Sequence, residues 1–244
     1  MMGLWQRWRD PFAALERRRL GMLARHGDDP MLCSLLTPQL PTPAADPWAL
    51  PMLVLDMETS GLDPARDRIL SLGWVPIIDG RLRLGESCHH YLSTGRVGAA
   101  SAVIHHITPQ ALQGGVDERD ALRLLLKAMT GRLLVAHGSA IERRFLGALL
   151  ARHHRIGEAL PLIWLDTLAL ERSLLCNRQL VLGDYRLSEI RKHRGLPPYL
   201  AHNALADAVA TGELLLVQMK EILAGQPKVL APLYRRVRRH CNGL

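Results

Sequence analysis

The stretch from Met52 to Pro64 constrains the fold most, because it is an apolar run that stops in two carboxylates and a turn. Leu53, Val54 and Leu55 read as a buried strand, and Gly61-Leu62-Asp63-Pro64 supplies the turn that ends it. Side chains alternate along a strand, so Asp56 and Glu58 project to one side with Cα atoms roughly 6 to 7 Å apart. At about 4 Å and an effective dielectric near ~20, two such charges repel by about 4 kcal/mol. A divalent cation relieves that repulsion, because hard ions such as Mg²⁺ take oxygen ligands. On this stretch alone a simpler alternative stands, in which Asp56 caps the turn and Glu58 is a solvated strand end.

The chain of 244 residues, 48% of them apolar, is long enough to bury the core of one α/β domain plus an extension. Its excess of Lys and Arg gives a net charge of +8, which points toward a polyanionic partner. Aromatic residues make up only 5%, which argues against broad base-stacking platforms. Cys33, Cys88, Cys176 and Cys241 form no C-x-x-C pair and read as reduced thiols. No stretch approaches a membrane span and the N-terminus lacks a secretory apolar core, so a cytoplasmic protein with no membrane partner is expected.

Residues 1–46 read as a basic amphipathic helix followed by a proline-rich linker that runs on to Pro51. The helix, with Trp5, Trp8, Phe12 and several arginines, could hold nucleic acid or a partner, or could pack on the main domain. Residues 47–225 carry the α/β pattern. Arg68 to Ile78 and a segment from Arg81 to Leu92 are strands joined by Asp79-Gly80, a hairpin signal. Helix over 117–130, strand over 133–136, helix over 141–153 and strand over 162–165 follow, and this alternation implies parallel crossovers. Further helices are expected over 167–175, 187–193 and 204–222. Residues 226–244 form a basic C-terminal segment, expected to lie solvated on the surface.

Two other places carry ionisable groups that this layout brings toward the end of the first strand. The segment from Val135 to Glu142 runs from a strand end into a first helical turn, where ligands of α/β sheets collect. Glu142 either joins Asp56 and Glu58 or offsets the helix dipole and pairs with Arg143 or Arg144. His137 and Ser139 read as a turn residue and an N-cap. In His202-Asn203-Ala204-Leu205-Ala206-Asp207, Asn203 is the N-cap, so His202 lies just outside the helix and Asp207 within its first turns. That suits His202 to taking a proton and Asp207 to holding a metal.

From Leu53 to Leu216 these motifs, Asp56-Met57-Glu58-Thr59 with Gly61-Leu62-Asp63, then His202 with Ala204, Asp207 and Ala208, resemble the DEDDh family of 3′–5′ exonucleases, which includes the proofreading epsilon subunit of bacterial DNA polymerase III. Ile104-His105-His106-Ile107-Thr108 is similar to the loop between the family's motifs, and Leu165-Asp166-Thr167 to its fifth strand end. The second motif departs: the family's H-N-x-x-F-D is replaced by His137-Gly138-Ser139-Ala140-Ile141-Glu142. The resemblance implies an α/β, RNase H-like, five-stranded mixed sheet flanked by helices, with the N-terminal helical extension added. It implies catalytic Asp56, Glu58, Glu142, His202 and Asp207, the four carboxylates holding two Mg²⁺ or Mn²⁺ ions and His202 deprotonating water. Met57, Thr59, His105 and Ile107 would meet substrate. The implied substrates are single-stranded or frayed 3′ ends of DNA, and a DNA polymerase subunit is a candidate partner. An RNA-directed exonuclease, or a nucleic-acid-binding or polymerase-partner module with weakened chemistry, are the alternatives.

Overall fold

A computed structural model describes residues 10–93, 107 and 109–240. The apolar run becomes β1 (Met52–Thr59), the middle strand of a mixed sheet. It pairs antiparallel with β2 (Ile69–Ile78) and parallel with β5 (Leu133–Ala136), which pairs parallel with β6 (Trp164–Asp166). Asp79 and Gly80, at φ of 50° and 66°, turn β2 into β3 (Arg81–Leu82), the geometry a two-residue hairpin demands. The third strand expected from Arg81 onward is in fact two pieces. A 3₁₀ turn over Leu84–Glu86 separates β3 from β4 (Cys88–Tyr91), and both pair with β2, giving six strands.

Because β1 is buried on both faces, its alternation sorts the helices into two layers. Leu53, Leu55 and Met57 pack with Leu122, Leu125 and Met129 of α4 (Glu118–Met129) and with Phe145, Leu146 and Leu149 of α5 (Ala140–His154). Met22 of α1 (Ala13–Arg25) and Leu32, Leu35 and Leu36 of α2 (Pro30–Leu36) extend the same cluster. The short α3 (Pro109–Gln113) lies ahead of α4. Met52 and Val54 point the other way, among Ala169, Leu170 and Leu174 of α6 (Thr167–Asn177) and Ala208, Leu215 and Met219 of α8 (Ala204–Ile222). Asp56 and Glu58 share the parity of Met52 and Val54, so β1 aims them to the face that α8 covers. Between these helices, α7 (Leu187–His193) buries Leu187 and Ile190 against Ala210 and Leu214 of α8.

The described part of the N-terminal extension packs on the core, and Arg19 shows how firmly. It is 5% exposed, and its guanidinium donates to the Leu36 carbonyl and pairs with Glu16. Trp5 and Trp8 lie outside the described residues. The basic C-terminal segment is not simply solvated. It forms α9 (Leu230–His240), which buries Leu230, Leu233 and Val237 in the α6 and α8 layer and keeps most of its arginines outward. Its arginines concealed an apolar stripe at helical spacing. Among the described residues no helix is long and apolar enough to cross a membrane.

Candidate active site

Two features bring the start of α8 onto the end of β1. Asp56 pairs across the sheet with Gly73, and a Cβ on Gly73 would stand 2.2 Å from the carbonyl carbon of Ala204 and from the Leu205 nitrogen. The first turn of α8 therefore rests directly on the sheet beside Asp56, which any side chain at position 73 would prevent. Asn203 caps that turn by accepting from the Ala206 amide at 3.1 Å, and Asp207 accepts from the Asn203 amide at 3.1 Å. The result is a set in which carboxylate oxygens of Asp56, Glu58 and Asp207 all lie within 4.8 Å of one another. His202 stands exposed before the helix, in left-handed backbone at φ 64°, and lines the same pocket of about 550 Å³.

Glu142 reaches this pocket from the other helical layer. α5 starts where β5 ends, and the turn between them is clamped by Asp166, whose carboxylate accepts from the amides of Gly138 at 3.0 Å and Ser139 at 2.7 Å. The same carboxylate caps α6 through Leu168 and Ala169. Gly138 sits at φ 74°, a conformation that suits glycine. Ser139 occupies the N-cap position without a side-chain capping bond, because Asp166 has taken that role. His137 is tied down as well: with Nε2–H donating to the Tyr185 carbonyl at 3.0 Å, Nδ1 accepts from the Thr167 hydroxyl at 2.8 Å. It braces the pocket wall. Glu142 is 4% exposed and its Oε2 has no hydrogen-bond partner among the described residues. It stands apart from the 4.8 Å set, so the four acids form three and one.

Asp56, Glu58 and Glu142 hold their protons unusually tightly. Burial first, then the charges of Glu142, Asp207 and Glu58, push the Asp56 carboxyl well above the ordinary range. Burial and Asp207 raise Glu58 to about 7. Glu142 is raised to about 8 by burial, opposed by a backbone hydrogen bond and reinforced by Asp166 and Glu58. Among the described residues Arg186 is the only arginine or lysine lining the pocket, and it is engaged by Asp184 at 2.6 Å. An all-oxygen donor set, mutual repulsion and an orphaned buried oxygen fit hard divalent cations such as Mg²⁺ or Mn²⁺.

The expected substrate residues divide. Met57 and Thr59 line the pocket, the Thr59 hydroxyl donating to the Gly61 carbonyl at 2.7 Å. Ile107 is buried with Leu70 and Leu112 and is not among the pocket's lining residues. His105 lies outside the described residues. Sequence reasoning missed Tyr199, whose hydroxyl donates to Asp207 Oδ1 at 2.7 Å and whose ring covers the Arg191 guanidinium at 5.1 Å. Arg191, 2% exposed, donates to the Pro197 and Ala210 carbonyls and to Glu213, so it fixes the loop that carries Tyr199.

With this geometry in place, the exonuclease family model (RNase T) matches residues 53–215, which include Asp56, Glu58, Glu142, His202 and Asp207. The chain belongs to the exonuclease family. Family members similar to it include DNA polymerase III PolC-type of Thermotoga petrophila, 32% identical over 67% of this chain and 11% of that protein. Another is a DNA polymerase III subunit epsilon-like protein of Rhodobacter capsulatus, 28% identical over 78% of this chain and 27% of that one. The chain thus spans about a tenth of the length of the PolC-type relatives it matches. Its fold is shared with E. coli Exonuclease I, solved with a dT13 oligonucleotide, at TM-score 0.61 and 19% identity over 72% of this chain and 42% of that one. Exonuclease X, solved with 5′ overhanging duplex DNA, matches at TM-score 0.56 and 23% identity over 76% of this chain and 99% of that one. These likenesses establish the RNase H-like mixed sheet of the exonuclease family as this chain's fold.

Proposed function

We propose that the chain is a metal-dependent 3′–5′ exonuclease that removes nucleoside monophosphates from single-stranded or frayed DNA ends. The observation that carries this reading is the convergence of Asp56, Glu58 and Asp207 within 4.8 Å beside an exposed His202. Two divalent cations held by Asp56, Glu58, Glu142 and Asp207 would supply positive charge to the attacking and leaving oxygens of an in-line displacement. His202 accepts the proton of the attacking water, its exposure leaving the ring reachable by solvent. The water oxygen bonds to phosphorus as the bond from phosphorus to the upstream O3′ breaks, leaving a 3′ hydroxyl on the shortened strand and a 5′ monophosphate as product. Tyr199 and the Asn203 amide occupy one oxygen each of Asp207 and fix its orientation, while Asp166 fixes the helix start that carries Glu142. At the rim, Leu62 is 66% exposed and offers apolar surface to the terminal base.

The choice of DNA is supported by the polymerase names of the relatives and the DNA in the structures that share the fold. The same names support a replicative polymerase as a partner and the cytoplasm as the place of action. A 5′-labelled single-stranded oligonucleotide tests the reading. Incubated with Mg²⁺ or Mn²⁺, it should yield a ladder shortening by single nucleotides from the 3′ end. A label released at once as mononucleotide would mean the opposite polarity, and faster trimming of the matching RNA would reassign the substrate.

A further inference from the structure

A second cavity of about 280 Å³ lies on the flank of the β6 edge, between α1, α5 and α9, and has not been assigned a role. Three arginines line it, Arg18 from α1, Arg143 from α5 and Arg238 from α9, and none of its described lining residues is acidic. All three are exposed. Arg18 spends one N–H on the Ala159 carbonyl, and among the described residues the side chains of Arg143 and Arg238 make no hydrogen bond or ion pair. Arg19, Arg152, Arg178, Arg186, Arg191 and Arg194, by contrast, each meet a carboxylate. Three guanidiniums around one cavity, with no counter-charge among the described lining, repel one another, and an anion removes that repulsion. Between them the walls are Trp164, Tyr234 and Leu160, flat and apolar surface of the kind that accepts a base or sugar.

The geometry points to this cavity as a binding site for the phosphate backbone of a single-stranded polynucleotide, upstream of the 3′ end that enters the acid pocket. Its position supports that occupant. Arg143 directly follows Glu142, and Trp164 precedes Asp166 by two residues on the same strand, so the first turn of α5 is the wall between the two sites. A strand leaving the acids across that turn meets the arginines next. Guanidiniums recognise phosphate through paired N–H donors, and three elements supplying one each suit successive phosphates rather than a single ion.

This inference rests on the exonuclease reading only for the direction of the strand, and its test separates the two. Fluorescein-labelled dT16 is titrated with wild-type protein and with Arg143→Ala/Arg238→Ala in EDTA over a range of salt. Hydrolysis of the p-nitrophenyl ester of thymidine 5′-monophosphate is followed in parallel with Mn²⁺. Neither arginine side chain makes a hydrogen bond or ion pair among the described residues, so the double variant should melt like wild type. We expect about tenfold weaker dT16 binding and a log–log salt slope shallower by about 1.4, two phosphates' worth, with ester hydrolysis unchanged. Arg143→Lys/Arg238→Lys should recover most of the slope. Unchanged dT16 affinity and slope would overturn the site. So would competition by dTMP that depends on these arginines as strongly as dT16 does, which would mark a mononucleotide site. Arginine-dependent dT16 binding in a protein that hydrolyses neither DNA nor the ester would uphold this site and sink the exonuclease reading alone.

Discussion

Tyr199 holds Asp207: its hydroxyl donates to Oδ1 at 2.7 Å while the Asn203 amide holds Oδ2 at 3.1 Å. Burial and the Asp207 charge push the phenol far above its ordinary range, so it remains a donor at any working pH. Tyr199→Phe keeps the ring over Arg191 and removes only the bond. A hydrogen bond to a charged group contributes about 1.5–3 kcal/mol. The expected outcome is a fall in kcat of about ten- to a hundredfold with KM little changed and a higher Mn²⁺ requirement, read from steady-state kinetics across a Mn²⁺ series.

Gly73→Ala places a methyl against the backbone of Ala204, which cannot give way as a flexible side chain could. The first turn of α8 must lift, carrying His202 and Asp207 away from Asp56. Misplacement by about 1 Å costs roughly a hundredfold in rate, and overpacking costs about 1–3 kcal/mol. Gly85→Ala, with nothing within 4 Å of its new methyl, is the control and should match wild type in both melting temperature and kcat.

How much of this was legible in the sequence follows from the range of the forces involved. The Asp79-Gly80 hairpin, strand Leu133–Ala136 and the helices Leu187–His193 and Ala204–Ile222 are set by local pattern, and the structure places them where that pattern does. The split of the third strand came from a 3₁₀ turn within a run that alternates acceptably. In the sequence Gly73 is one small residue within an apolar strand, and only the helix lying on it explains the absence of a side chain. Asp166 acts across the fold on a turn 27 and 28 residues away, and Tyr199 folds back from its loop onto the helix that follows it, so no spacing rule reports either. Asp166 was visible as a strand end, but its hold on the Gly138 and Ser139 amides was not.

The raised carboxylates make stability depend on pH. Glu58 and Glu142 ionise near 4.5 when unfolded and near 7 and 8 when folded. A raised folded value means that stability is fully present below about 4.5 and is lost as pH rises through about 7 to 8. In EDTA the melting temperature should therefore fall between these limits, and Glu58→Gln and Glu142→Gln should flatten the fall. Mn²⁺ favours the ionised acids and should restore the lost stability at pH 8. A scan of melting temperature against pH, with and without Mn²⁺, checks both.

Glu142→Asp restores the acid usual at this position of the resembling family, but it shortens a side chain whose helix start is fixed by Asp166. Withdrawing the carboxylate by about 1.5 Å should lower kcat rather than raise it, by about tenfold or more. A large gain in rate would instead mark the site as degraded. Single-turnover rates of the two proteins on one oligonucleotide decide this.

The central claim is that Asp56, Glu58 and Asp207 together make a metal-dependent hydrolytic site. Trimming of a 5′-labelled oligonucleotide by wild type, Asp56→Asn and His202→Ala, prepared alike and shown to be folded, tests it most directly. The account predicts a single-nucleotide ladder from wild type with Mg²⁺ or Mn²⁺, none in EDTA, and loss of roughly a thousandfold or more in each variant. Folded wild type that trims with neither ion, or variants that trim as fast as wild type, would contradict it.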